Sequence, residues 1–151
     1  MTSIFKIKFS KNSDCLNDDY DRLAEYEKDK ISNISVESFF DYDDDDDRYN
    51  FILITTHIEI EKYISILENN LIWFDLENLS HGILKGEIDL EYLLKDKYLQ
   101  TSLIKFNTFI ESINYWILDN TDIDIVLDRI SQVGMNNLKE VERDYLKNYK
   151  I

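Results

Sequence analysis

Proline is absent from the 151 residues, glycine occurs only at Gly82, Gly86 and Gly134, and cysteine only at Cys15. Without proline or a glycine-rich stretch no linker or domain boundary is marked, and a single domain over residues 1–151 is expected. One cysteine excludes an intrachain disulfide and gives no sign of an oxidising compartment, so the expected location is the cytoplasm. No apolar run approaches the ~20 residues of a membrane span. The first nine residues alternate apolar and basic side chains instead of placing an apolar stretch after a charged start, so they do not read as a signal peptide.

Chemistry-bearing patterns are equally scarce. The two histidines, His57 and His81, and the lone cysteine lack the paired spacing of a zinc site. His57-Ile58-Glu59 matches the first half of the zinc deaminase signature, but the cysteine pair that must complete it is missing. His57 is therefore expected as a polar residue in the first turn of a helix, and His81 as a loop residue. There is no Gly-x-Ser-x-Gly and no glycine-rich phosphate loop. Carboxylates are too plentiful for spacing to select a pair. Hence no catalytic residue, metal ligand or cofactor is assigned, and an enzyme is not expected.

What the chain has in abundance is charge of one sign. Thirty-one acids against seventeen bases leave a formal charge of −14, a field that repels phosphate backbones and anionic lipid and argues against direct contact with nucleic acid or membrane. The charge is concentrated. Residues 14–47 hold fourteen acids and three bases, net −11, whereas residues 76–151 hold thirteen and nine, net −4.

The densest stretch runs from Asp41 through Asp43, Asp44, Asp45, Asp46 and Asp47 to Arg48. It does not fit a calcium-binding EF-hand loop: starting at Asp41 puts Asp46 where glycine is required and Ile52 where the bidentate glutamate belongs, and starting at Asp43 puts Arg48 and Ile54 there. As a solvated loop the run would aid solubility. As a recognition patch, five successive carboxylates concentrate negative potential well within the ~8 Å screening length of physiological salt. Their mutual repulsion is a cost that solubility alone does not require. Tyr42 and Tyr49 flank the run, Tyr20 and Tyr26 lie in the same acidic segment, and tyrosine is enriched at protein interfaces.

Periodicity supplies the fold class. Phe5, Ile7 and Phe9 alternate with Lys6 and Lys8, as in a strand with one buried face. Asn17–Ile31 reads as a helix with Asp18, Asp19 and Asp21 in its first turn, where the helix dipole favours anions. Residues 34–56 read as a hairpin whose second strand is apolar on both faces through Phe51, Ile52, Leu53 and Ile54. Thr56 and Glu59 have capping-box spacing before Ile60, Tyr63, Ile64 and Leu67, so a helix should start there. Leu71–Leu76 is a short apolar run compatible with a further strand, and Asp89–Leu99 with a helix.

The last third is helical in pattern. Phe106, Phe109, Ile110, Ile113, Trp116 and Ile117 form one stripe. Thr121 and Asp124 have cap spacing ahead of Ile123, Val126, Leu127 and Ile130, with Gly134 as the stop, and Asn137–Asn148 should bury Leu138, Val141 and Tyr145. The expectation is an α+β domain, a small antiparallel sheet packed with helices and followed by an all-helical carboxy-terminal third.

Small size, strong acidity and missing catalytic groups are the combination expected of a bacterial immunity protein or antitoxin, which covers the basic working surface of a nuclease-type toxin. The residues expected to meet such a basic partner are Asp43 to Asp47 with Asp18, Asp19 and Asp21, and Tyr42 and Tyr49 as anchors. A nucleic-acid mimic of phage origin, of the anti-defence or anti-CRISPR type, would share the charge but array it along an elongated face at phosphate spacing. The concentration in residues 14–47 fits a compact patch better. An adaptor or structural subunit ranks third, since it calls for a sizeable exposed apolar patch. Nothing in the sequence fixes the oligomeric state.

Overall fold

The computed structural model describes residues 1–9, 37–43, 48–94 and 103–149, which fall into two compact units, Met1–Leu79 and Ser80–Ile151. The helix expected over Asn17–Ile31 lies outside the described residues, as does the second half of the one expected over Asp89–Leu99. The chain is α+β, as its periodicity predicts: a four-stranded antiparallel sheet packed with helices, then a helical carboxy-terminal part.

In the first unit the strands are β1 (Thr2–Phe9), β2 (Glu37–Asp43), β3 (Arg48–Thr56) and β4 (Phe74–Asn78), ordered β2-β3-β1-β4. Strand β1 is central, pairing β3 from Thr2↔Thr56 to Lys8↔Asn50 and β4 from Phe5↔Asn78 to Phe9↔Phe74. Its alternation decides what faces the core. Phe5 and Ile7 join Leu53 against Ile60, Tyr63, Ile66 and Leu67 of helix α1 (His57–Asn69), with Phe51, Phe74 and Leu76 packed alongside. The lysines take the other face, where Lys6 Nζ lies 3.3 Å from Glu77. That face is not wholly solvated, for Ile4, Ile52 and Phe39 on it are buried.

Both ends of α1 are closed by local chemistry. At its start the Thr56 hydroxyl accepts the Glu59 N–H at 3.1 Å, the cap that the sequence predicts. His57 is the exposed first residue, its ring edge-on to Phe5 at 5.3 Å. At the far end the Ile72 N–H donates to the Leu67 carbonyl at 2.9 Å and the Leu71 N–H to Glu68 at 3.1 Å, a Schellman pair. Leu71 takes the left-handed conformation (φ 55) that usually falls to glycine there. The strand expected from Leu71 therefore begins only at Phe74, because Leu71 and Ile72 are committed to ending the helix.

The second unit comprises α2 (Ser80–Leu84), α3 (Leu90–Leu94), α4 (Leu103–Asn120), α5 (Ile123–Val133), a 3-10 turn (Met135–Asn137) and α6 (Glu140–Asn148). The predicted stripe on α4 is buried throughout. His81 lies within α2, not in a loop. The cap of α5 is Asp122, whose carboxylate accepts the Ile125 N–H at 2.9 Å, one residue later than expected. Thr121 cannot begin the helix because its N–H still donates to the Ile117 carbonyl at the end of α4. Gly134 stops α5 at φ 81, as predicted. The last helix starts at Glu140, after the 3-10 turn; Leu138 and Val141 are buried and Tyr145 is half-buried. On α5, however, Leu127 is 50% exposed while Arg129 is 8% exposed, the reverse of the apolar-inside expectation.

Two adjacent threonines should respond oppositely to substitution. Thr55 is buried and its hydroxyl oxygen has no hydrogen-bond partner, so Thr55→Val should stabilise by about 1 kcal/mol by removing an unpaired buried polar group. Thr56→Ala should destabilise by about 1 kcal/mol through loss of the cap. Urea denaturation midpoints of the two variants check the signs.

Candidate functional site

The acidic run is carried by the β2–β3 hairpin, and the register determines how it is presented. Strand β1 pairs β3 through Lys8↔Asn50, a register that places Phe9 of β1 beside Tyr49, and β2 pairs β3 from Glu37↔Ile54 to Asp43↔Arg48. This brings Tyr42 and Tyr49 opposite each other and sets Asp43 opposite Arg48, the single base within residues 41–48 against six acids. Asp44, Asp45, Asp46 and Asp47, which join the strands, and Asp18, Asp19 and Asp21 lie outside the described residues. Next to Tyr49 in β3, Asn50 is buried with its side-chain oxygen unpaired.

The second unit contains a polar centre that the sequence reading missed. Glu142 is 6% exposed and uses both carboxylate oxygens: Oε2 accepts from Arg129 Nε at 3.1 Å, and Oε1 accepts the Lys139 N–H at the start of α6 at 3.0 Å. Arg129 reaches on to Gln132 Oε1 at 3.4 Å. The turn after α2 passes directly over this pair at Gly86 (φ 75), where a methyl group would overlap the guanidinium carbon. The available signals were Glu142 three residues after Lys139, a capping position, and an isolated glycine after a short helix; neither spacing identifies Arg129 as the partner.

Beside this pair lies an open cleft of about 290 Å³, floored by Leu90, Ile110, Ile113 and Ile117 and rimmed by Asp89, Glu91, Lys139 and Glu140. Asp89 accepts the Tyr92 N–H at 3.2 Å and approaches Lys139 Nζ at 3.7 Å, so these rim groups are already engaged in closing α3 and α6. The lining holds no nucleophile beside a base. Among the described residues no three His, Cys, Asp or Glu side chains converge as a metal cage requires, and no helix is long and apolar enough to cross a membrane. The Tyr145 hydroxyl has a pKa above the usual tyrosine value, through desolvation first and then the charges of Tyr149 and Asp122; it is neutral at physiological pH.

No protein-family model, curated protein or solved structure matches the chain. The functional reading therefore rests on geometry and charge alone.

The glycine over the buried pair gives a double-mutant test. Gly86→Ala should cost about 3 kcal/mol or more, from the left-handed backbone (~1–2 kcal/mol) and the clash with Arg129. In an Arg129→Met background, where the guanidinium is gone, only the backbone part should remain. A coupling energy near zero in denaturant titrations of the four proteins would show that Gly86 and Arg129 are independent.

Proposed function

We propose that this chain is a non-catalytic acidic binding protein that covers the basic surface of a partner protein, as an immunity protein or antitoxin covers a nuclease-type toxin. The observation that carries the reading is the union of charge and position: the densest acidic stretch connects two strands of the sheet that stay paired up to Asp43↔Arg48. A charged connection anchored at both ends in an ordered sheet can meet a basic surface without the sheet itself deforming, and complementary fields accelerate the encounter. Action is by occlusion, not turnover, in the cytoplasm, with Asp43 to Asp47 supplying the field and Tyr42 and Tyr49 the contact area. We include Asp18, Asp19 and Asp21 as further contributors to the negative field.

Capture of a one-to-one basic toxin or nuclease domain at low salt, released as salt rises, supports this reading. Replacing all five aspartates Asp43 to Asp47 by asparagine should slow association with that partner at least about tenfold at low salt and flatten its salt dependence, with the circular dichroism spectrum unchanged. An unchanged association rate removes the run from the mechanism. Capture of a DNA-binding host enzyme through the same residues replaces this reading with nucleic-acid mimicry.

A further inference from the structure

The opposite margin of the sheet has its own recognition chemistry. Strand β4 has one hydrogen-bonded neighbour, β1, and among the described residues no strand pairs with its other edge. The Leu79 N–H donates to the Ile4 carbonyl at 2.8 Å, which sets the alternation of the antiparallel ladder. Asp75 and Glu77 turn their backbone groups towards β1, and Phe74 and Leu76 turn theirs to the outer edge. Phe74 and Leu76 have half-buried side chains packed on the core, while Asp75 and Glu77 are exposed. Among the described residues the outer edge thus offers donors and acceptors for a strand beside the carboxylates of Asp75 and Glu77.

Just before β4, Trp73 is 47% exposed and Leu71 is 90% exposed. Leu71 occupies a left-handed backbone position where glycine would be less strained. An exposed leucine kept in an unfavourable conformation next to an exposed tryptophan suits contact area better than stability.

We propose that the outer edge of β4 is a strand-addition site for an extended basic segment of a partner protein, with lysine or arginine at alternate positions opposite Glu77 and Asp75 and a further basic or apolar side chain over Trp73. The sheet already contains the template. On its inner side β4 accepts β1, whose Lys6 and Lys8 stand opposite Glu77 and Asp75 in register, and a carboxylate has acceptor capacity for donors from both sides. Backbone bonds supply the affinity and the alternate charges the selection. A second copy of this chain is disfavoured, because pairing β4 with itself sets Asp75 against Glu77. The site goes beyond the proposed hairpin function and lies at the other margin of the sheet, so each can fail alone.

The probe is an eight-residue peptide of alternating lysine and valine, titrated to about 1 mM against the full chain, with a glutamate–valine peptide as control. Saturation should slow amide hydrogen exchange at Leu76 at least about tenfold, as new ladder bonds form. Asp75→Lys with Glu77→Lys should weaken binding at least about tenfold, and the milder Asp75→Asn with Glu77→Gln should weaken it less. Leu71→Gly should raise Tm by about 2 °C yet lower peptide affinity. The five aspartate-to-asparagine changes at Asp43 to Asp47 should alter affinity by less than about twofold at physiological salt. The proposal is overturned by absence of binding, by equal binding of the acidic peptide, by binding that leaves Leu76 exchange unchanged, or by Leu76 protection that appears with chain concentration in the absence of peptide.

Discussion

Strand β1 has a neighbour on each side, so its register governs the whole sheet. Phe5 and Ile7 face the core beneath α1, and Lys6 and Lys8 face away. A slip of one residue would bring both lysines under α1 and expel both apolar side chains, a change of several kcal/mol at roughly 2 kcal/mol per buried side chain before the cost of burying charge is counted. With β1 fixed, β3 is fixed by seven rungs, and β2 follows through its own pairing with β3 from Glu37↔Ile54 to Asp43↔Arg48. On the other side the same lysines select where β4 lies, because in that register each faces a carboxylate. In a chain this acidic, two central lysines therefore do more than lower the net charge.

The helical unit uses a different device for the same end. Apolar contacts alone leave a short amphipathic helix free to rotate by a fraction of a turn, since neighbouring apolar residues can exchange roles. On α5 Leu127 is exposed while Arg129 is buried, so apolar character alone does not decide which side chains turn inward. The Arg129–Glu142 pair settles the rotation, because a buried carboxylate holding both a guanidinium and a helix N-terminal N–H has one satisfactory geometry. Desolvation offsets much of the attraction in such a pair, so its contribution is to orientation more than to net stability. Gly86 belongs to the same device, since any larger residue would displace the guanidinium that the turn covers.

These two devices explain what was legible in the sequence. Alternation over Phe5–Phe9, the Thr56 cap and the stripe from Phe106 to Ile117 are local patterns with one geometric solution each, and the structure follows them. Where two local signals competed, the backbone decided: Asp122 caps α5 because Thr121 still belongs to the preceding helix, and β4 begins late because Leu71 and Ile72 complete the end of α1. Inward arginine at Arg129 was illegible because its partner lies thirteen residues away on another helix. For the candidate site the residues Tyr42, Asp43 and Tyr49 could be named from composition, but the register that sets Tyr42 opposite Tyr49 and Asp43 opposite Arg48 depends on pairing between strands, which periodicity does not report.

The two margins of the sheet show how one excess of charge can serve different kinds of contact. At the hairpin end charge can act through its field over a Debye length and make little demand on the partner's shape. Along β4 the outward ladder groups of Phe74 and Leu76, which no strand among the described residues pairs, call for an extended backbone, and charge can act only as a filter on which strand is admitted. An open edge is ordinarily an aggregation hazard. In this chain the acids beside that edge and the net charge of −14 oppose the approach of another copy. The same charge attracts a basic strand, so an acidic edge is a smaller hazard than the same edge in a neutral protein.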